Sequence, residues 1–209
     1  MIRLAAGLLL VSVAAVAQPA RLPANGVDPP PRRGTYVETT FGLLSTFGGT
    51  AKVSSAQPFL GISVGRELGS RAAVFLALGL GASSASCFAA VVDGACQGAD
   101  SFGATFAELG LSLGMPVALR TLLSFKLVGG ATDLSPGPIR KGPGVPDHLL
   151  GVHGGAGLSL DYDTHLDHFA VGLDALFRYT IARATPSGQP AQTLGIPSLA
   201  LLPRVRYIF

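Results

Sequence analysis

The chain has 209 residues, a formal net charge of +3 and only 13% charged residues, against 48% hydrophobic ones and a mean hydropathy of +0.48. Its basic residues are scattered, which excludes a nucleic-acid footprint, and its length fits one domain. The hydropathy matches that of many helical membrane proteins, yet beyond Ala17 no unbroken apolar run approaches the roughly 20 residues of a spanning helix; the apolar character has to be divided among many short segments.

Residues 1–17 read as an export signal. Met1 to Arg3 give a positive start, Leu4 to Val16 an apolar run, and Ala15 and Ala17 the small residues a signal peptidase needs, so cleavage is predicted after Ala17. No cysteine lies near that point, which argues against a lipid anchor. Residues 18–33 are Pro-rich, and Pro29-Pro30-Pro31 cannot enter a helix or a central strand. A disordered periplasmic tail is expected there.

Period-two alternation divides residues 34–209 into eight strands. The first, Thr35 to Leu44, sets Val37, Phe41 and Leu43 against Tyr36, Glu38 and Thr40; the second, Phe59 to Leu68, sets Leu60, Ile62 and Val64 against Gly61, Ser63 and Gly65. In the third, Ala72 to Ala82, Leu76, Leu78 and Leu80 oppose Phe75, Ala77 and Gly79. The fourth, Phe102 to Leu113, opposes Leu109 and Leu111 to Phe106, Glu108 and Gly110, with a bulge expected near its start. The fifth, Arg120 to Thr132, separates Leu123, Phe125 and Leu127 from Ser124 and Lys126. Leu150 to Tyr162 places Val152, Leu158 and Leu160 opposite His153, Ser159 and Asp161, and Phe169 to Ile181 places Val171, Leu173, Phe177 and Tyr179 opposite Asp174, Arg178 and Thr180. The last strand ends the chain, with Leu199, Leu201, Val205, Tyr207 and Phe209 on one face and Ser198, Ala200, Arg204 and Arg206 on the other.

Connection lengths alternate too. The segments 45–58, 83–101, 133–147 and 182–195 are long, while 69–70, 114–119 and 163–166 are short. Both regularities describe an all-β, eight-stranded, antiparallel up-and-down transmembrane barrel of outer-membrane type, with long loops outside and both termini periplasmic. Val205, Tyr207 and Phe209 then mark the closing strand, which is read as the signal for the barrel-assembly machinery.

Charge decides which face turns inward. A basic side chain near the lipid midplane costs about 2 to 4 kcal/mol, and a handful would consume a net stability of roughly 5 to 15 kcal/mol. Glu38, Glu108, Asp161 and Asp174, with Arg120, Lys126, Arg178, Arg204 and Arg206, are therefore assigned to the lumen. A barrel of eight strands is filled by its own side chains, so these groups are expected to form an ion-pair network, not to line a pore. Asp174 and Arg178, on one face of one strand, are expected to join it.

Cys87 and Cys96 share one long loop, and in an exported chain they read as a disulfide. The bridge either orders a displayed contact loop or simply protects it from proteolysis. The segment from Asp161 to His168 gathers carboxylates and imidazoles, but ligands alternating around a tight turn point apart; it reads as a polar turn satisfying local backbone groups, with no metal. His153-Gly154-Gly155-Ala156-Gly157 echoes an esterase oxyanion loop without the matching nucleophile elbow, and nothing supplies a nucleophile with a base and an orienting group.

Four stretches carry a family resemblance: Gly98 to Gly110, Ser135 to Gly142 with Val145 to His148, Leu160 to Asp174, and the ending Pro203-Arg-Val-Arg-Tyr-Ile-Phe209. Over residues 59–209, with the loop cysteine pair, the chain resembles the myxobacterial adventurous gliding motility outer-membrane proteins of the CglE family. That resemblance implies an exported component of an envelope-spanning motility assembly, with other envelope motility proteins as partners and no catalytic residues. We thus expect a non-enzymatic scaffold in contact with outer-membrane lipid, without cofactor or small-molecule substrate. The alternative, a small barrel enzyme acting on outer-leaflet lipid, needs a Ser or His constellation at the outer rim, where only His148 stands close. A soluble ligand carrier would need an apolar interior and a polar exterior, the inverse of this pattern.

Overall fold

The computed structural model describes residues 34–49, 52–69, 71–85, 88, 101–118, 120–138, 147–166, 168–185 and 190–209. The export signal, the Pro-rich tail, Cys87 and Cys96 lie outside the described residues. Eight strands, β1 (Thr35–Thr46), β2 (Gln57–Glu67), β3 (Ala72–Ser83), β4 (Phe102–Ala118), β5 (Thr121–Ser135), β6 (Leu149–Asp163), β7 (Phe169–Ala184) and β8 (Gln192–Ile208), form a closed barrel in chain order. Every neighbouring pair is antiparallel, and β8 closes on β1, where the Phe209 N–H donates to the Thr35 carbonyl at 2.9 Å.

The register fixes the barrel's proportions. Following paired residues from Thr35 through Arg66, Val74, Leu111, Leu127, Ala156, Phe177 and Leu199 returns to β1 at Ser45, ten positions on. With a rise of about 3.3 Å per residue and strands about 4.8 Å apart, that offset tilts the strands by roughly 40°, inside the range of outer-membrane barrels. Closure removes the free sheet edges, so at the paired positions the wall's backbone polar groups are met internally, as a bilayer demands; the β1–β8 pairing skips only Phe41 and Gly42 among the residues from Tyr36 to Thr46.

Alternation holds along the strands, except at the end of β4, where Met115 to Ala118 are all exposed. Leu76, Leu78 and Leu109 are at least 60% exposed on the outside, whereas Glu38 and Arg204 are 4% and 2% exposed within. Glycines make room for the interior rings: a Cβ on Gly110 would run into the Phe75 ring, and one on Gly65 into the Tyr36 ring. Each of these glycines pairs directly with the aromatic it shelters, so an aromatic on one strand lies flat over a bare backbone on the next.

Three features differ from expectation. The start of β4 pairs regularly with both neighbours, and the irregularity falls at the other end, between Pro116 and Ala118, where proline has no N–H to give. The β4–β5 connection is shorter than expected, because pairing continues to Ala118 and Thr121. The interior is also not polar throughout. At the long-loop mouth, Leu44, Phe59, Phe102, Phe106, Leu134 and Leu194 belong to a buried apolar cluster against which Phe88 packs. A second buried apolar cluster holds Tyr36, Phe75, Val128, Leu176 and Ile208; alternation specifies which residues turn inward but not how far along the axis they meet.

Candidate functional site

Among the described residues, the lumen holds four carboxylates, Glu38, Glu108, Asp161 and Asp174, and four cations, Lys126, Arg178, Arg204 and Arg206, all buried. Strands at opposite sides of the barrel bring them together, so each pair is a tertiary event across many residues of sequence. They divide into two clusters at different heights.

The cluster nearer the termini is built around Arg204. Its Nη1 donates to Glu38 and its Nη2 to Asp161 and, at 2.5 Å, to Ser159 Oγ. Its Nε lies 2.9 Å from Asp174 Oδ1 but outside hydrogen-bond alignment, so that contact is Coulombic. Arg206 adds a bond from Nε to Glu38 Oε2 at 3.0 Å, and its guanidinium lies 4.3 Å from the Tyr36 ring centre. Lys126 Nζ donates to Asp174 Oδ2 at 2.5 Å and stands 3.7 Å from Glu38 Oε1. One guanidinium thereby touches carboxylates from β1, β6 and β7. In so enclosed a space each ion would be prohibitively costly alone, and the mutual pairing offsets that desolvation.

The second cluster lies toward the long-loop mouth. Arg178 grips Glu108 with two N–H groups, Nε to Oε1 and Nη2 to Oε2 at 3.2 Å, the planar fork that suits a carboxylate. His153 Nε2 stands 3.0 Å from Glu108 Oε1 and its Nδ1 2.7 Å from Thr132 Oγ1. A neutral ring protonated on Nε2 satisfies both, donating to the carboxylate and accepting from the hydroxyl. The guanidinium of Arg178 lies 4.9 and 5.4 Å from the Phe106 and Phe59 ring centres, which gives a buried cation aromatic neighbours in place of water.

Asp174 and Arg178 both join the network, as expected, but in separate clusters. Four residues of rise along β7 set them at different heights, where they meet different neighbours across the lumen. Arg120 departs from expectation. It lies in the β4–β5 turn with a positive φ of 63°, and its Nη1 reaches the Thr164 carbonyl at 3.4 Å and His165 Nδ1 at 2.9 Å, at the short-turn rim. Position 120 follows the alternation only by parity; the turn takes its side chain out of the lumen. His153 was legible as inward but not as a bonded member of the network, because its partners come from β4 and β5.

The Asp161 to His168 segment points in several directions. Asp161 enters the lumen, His165 meets Arg120, and His168 Nδ1 donates to the Ile208 carbonyl at 2.8 Å while its ring packs on Tyr207. At the opposite mouth, His148 Nδ1 stands 3.0 Å from Asp133 Oδ2 on the exposed rim. Val205, Tyr207 and Phe209 all face outward, and Tyr207 contacts Phe169 and Phe209 edge to face at 5.1 and 5.0 Å. A cavity of about 40 Å³ remains between the two ion clusters, lined in part by Ser63, Thr40 and Lys126. That is room for a few waters, not for a solute.

No family model matches the chain, and no curated protein does. Among solved structures, Neisserial surface protein A is similar over 84% of this chain and 97% of its own, with a TM-score of 0.54 and 13% identity. The attachment invasion locus protein Ail of Yersinia pestis covers 84% of this chain and 100% of its own at 12% identity and a TM-score of 0.43. A major outer membrane protein from Thermus thermophilus gives the same coverage at 9% identity and a TM-score of 0.42. The chain has the fold of an eight-stranded outer-membrane barrel.

Proposed function

We propose that the chain is a non-enzymatic outer-membrane barrel, a scaffold or contact protein of a surface gliding-motility apparatus that acts through its long connections. The observation that carries the scaffold reading is the filled lumen. Two buried ion clusters and an apolar layer occupy it, leaving the mouth with the long connections as the surface able to meet partners. The motility assignment rests on the resemblance over residues 59–209. In this reading the long loops face outward, both termini are periplasmic, the Cys87–Cys96 bridge orders one loop, and Val205, Tyr207 and Phe209 are read by the assembly machinery.

Affinity capture of the tagged protein from gently solubilised envelopes tests it. Envelope motility proteins are expected to co-purify, and recovery of bulk lipid alone would remove the motility assignment. Large, steady single-channel currents in planar bilayers would overturn the filled-lumen argument. A second reading, an enzyme of outer-leaflet lipid, is favoured by one observation, the His148–Asp133 pair at the rim. Its Nδ1–carboxylate contact leaves Nε2 available as a base. A mass change in outer-membrane lipid incubated with the pure barrel, lost in His148→Ala, would establish it.

A further inference from the structure

The outward apolar belt is not equally tall around the barrel. On β7 it runs from Phe169 to Ile181 with no polar residue on that face, and on β6 from Leu150 to Tyr162. At about 2.5 Å of axial rise per tilted residue, each of these belts is roughly 30 Å tall. On β1 the same face reads Thr35, Val37, Thr39, Phe41, Leu43, Ser45, with Phe47 beyond, and on β2 the unbroken run from Pro58 to Val64 ends at the exposed Arg66, with Leu68 beyond it. Those belts are roughly 15 Å tall by the same rise, and Thr39 interrupts one of them.

An outer-membrane barrel presents an apolar band of about 25 Å to lipid. The β6–β7 flank meets that requirement, and its aromatics sit where headgroups belong: Phe169 and Tyr179 are about 25 Å apart along the axis. The β1–β2 flank falls about 10 Å short. Rigid tilting cannot correct this, because tilt moves a belt without lengthening it. Arg66, at the lower limit of the short belt, has a stem long enough to carry its charge to headgroups that lie deeper than elsewhere. A short apolar wall is met by a thinner bilayer.

We propose that the β1–β2 flank, one side of which is the β1–β8 closing seam, holds the bilayer locally thinner than the β6–β7 flank does. The occupant of this face is lipid, with headgroups drawn toward Thr35 and Ser45. This is independent of the scaffold reading, since it depends only on the wall.

The chain contains no tryptophan, so one introduced indole reports its own depth. Ser45→Trp and Val152→Trp lie at about the same height near the long-loop mouth, and Thr35→Trp and Phe169→Trp at about the same height near the termini. The full chain carrying each is refolded into phosphatidylcholine vesicles with bromines deep in the acyl chains. Both β1 probes are expected to emit further to the red than their partners, to be quenched by acrylamide and to lose quenching by bromolipid. Equal depths within each pair would overturn the proposal. Opposite displacements at the two ends would overturn it in favour of a tilted barrel. Loss of both kinds of quenching, with crosslinking between copies, would overturn it in favour of a second copy covering the flank. A second variant serves if a probe does not fold: Ser45→Leu with Arg66→Leu lengthens the belt, and its refolding yield is expected to fall less than the native chain's as acyl chains lengthen. An unchanged dependence would count against thinning.

Discussion

Arg204 and Arg178 are guanidiniums buried in the same barrel, yet they are held in different ways. Arg204 is a hub among three carboxylates from three strands, with Arg206 sharing Glu38 and Asp161, and Lys126 sharing Glu38 and Asp174. Arg178 serves a single carboxylate, and aromatic rings and the apolar mouth supply the rest of its surroundings. The hub ties β8 to β1, β6 and β7, so it braces the closing seam; the second cluster joins β4 to β7 across the lumen. A charge in a hub cannot be withdrawn without stranding several others, whereas a charge in a one-to-one pair strands only its partner.

Four substitutions sharpen that contrast, read as unfolding free energies from urea titrations in lipid vesicles. Arg204→Met leaves three buried carboxylates undercompensated and is expected to cost about 3 to 5 kcal/mol; a loss below about 1 kcal/mol would show that the hub does not brace the seam. Glu108→Gln keeps the shape and some hydrogen bonding for Arg178 and His153, and is expected to cost about 2 kcal/mol. The companion double variant Glu108→Leu with Arg178→Met should restore most of that loss, since a well-packed apolar pair replaces a desolvated one.

The third substitution concerns the seam itself. Phe47 N–H donates to the Pro197 carbonyl and Phe209 N–H to the Thr35 carbonyl, so odd-numbered residues of β8 address β1. Pro203 therefore stands opposite Phe41 without an N–H to offer, and the pairing of β1 with β8 skips Phe41 and Gly42. Pro203→Val supplies that donor and is expected to stabilise the barrel by about 1 kcal/mol; destabilisation would mean that proline's rigidity matters more than the missing bond. The smallest effect belongs to Arg120→Ala, whose partners lie at the rim, with an expected change below about 0.5 kcal/mol.

Much of this barrel is legible in one dimension. The pattern Val37, Phe41, Leu43 against Tyr36, Glu38, Thr40 already assigns β1's two faces, because carrying its charge into lipid would be too costly. The eight lumen charges that do turn inward are visible for the same reason. The failures share one cause. Arg120 follows the parity of β5 but belongs to a turn, and parity has no meaning where the chain reverses. Asp174 and Arg178 both join the network as their face requires, but that they belong to different clusters depends on which residues across the lumen share the level of each. His153 is recognisably inward, while its bonds to Glu108 and Thr132 depend on which residues of β4 and β5 arrive at the same height.

The sequence by itself determined the strand number, the inward and outward faces and the pairing of long with short connections, since those follow from a side-chain period of two and from the cost of exposing charge or backbone to lipid. Only the tertiary structure decided the offset of ten positions on closure. That offset sets the tilt, and the tilt sets which inward residues share a level. It placed Arg204 among Glu38, Asp161 and Asp174, and Arg178 beside Glu108 and His153. Heights around a closed wall belong to no single strand, so no reading along one strand could supply them.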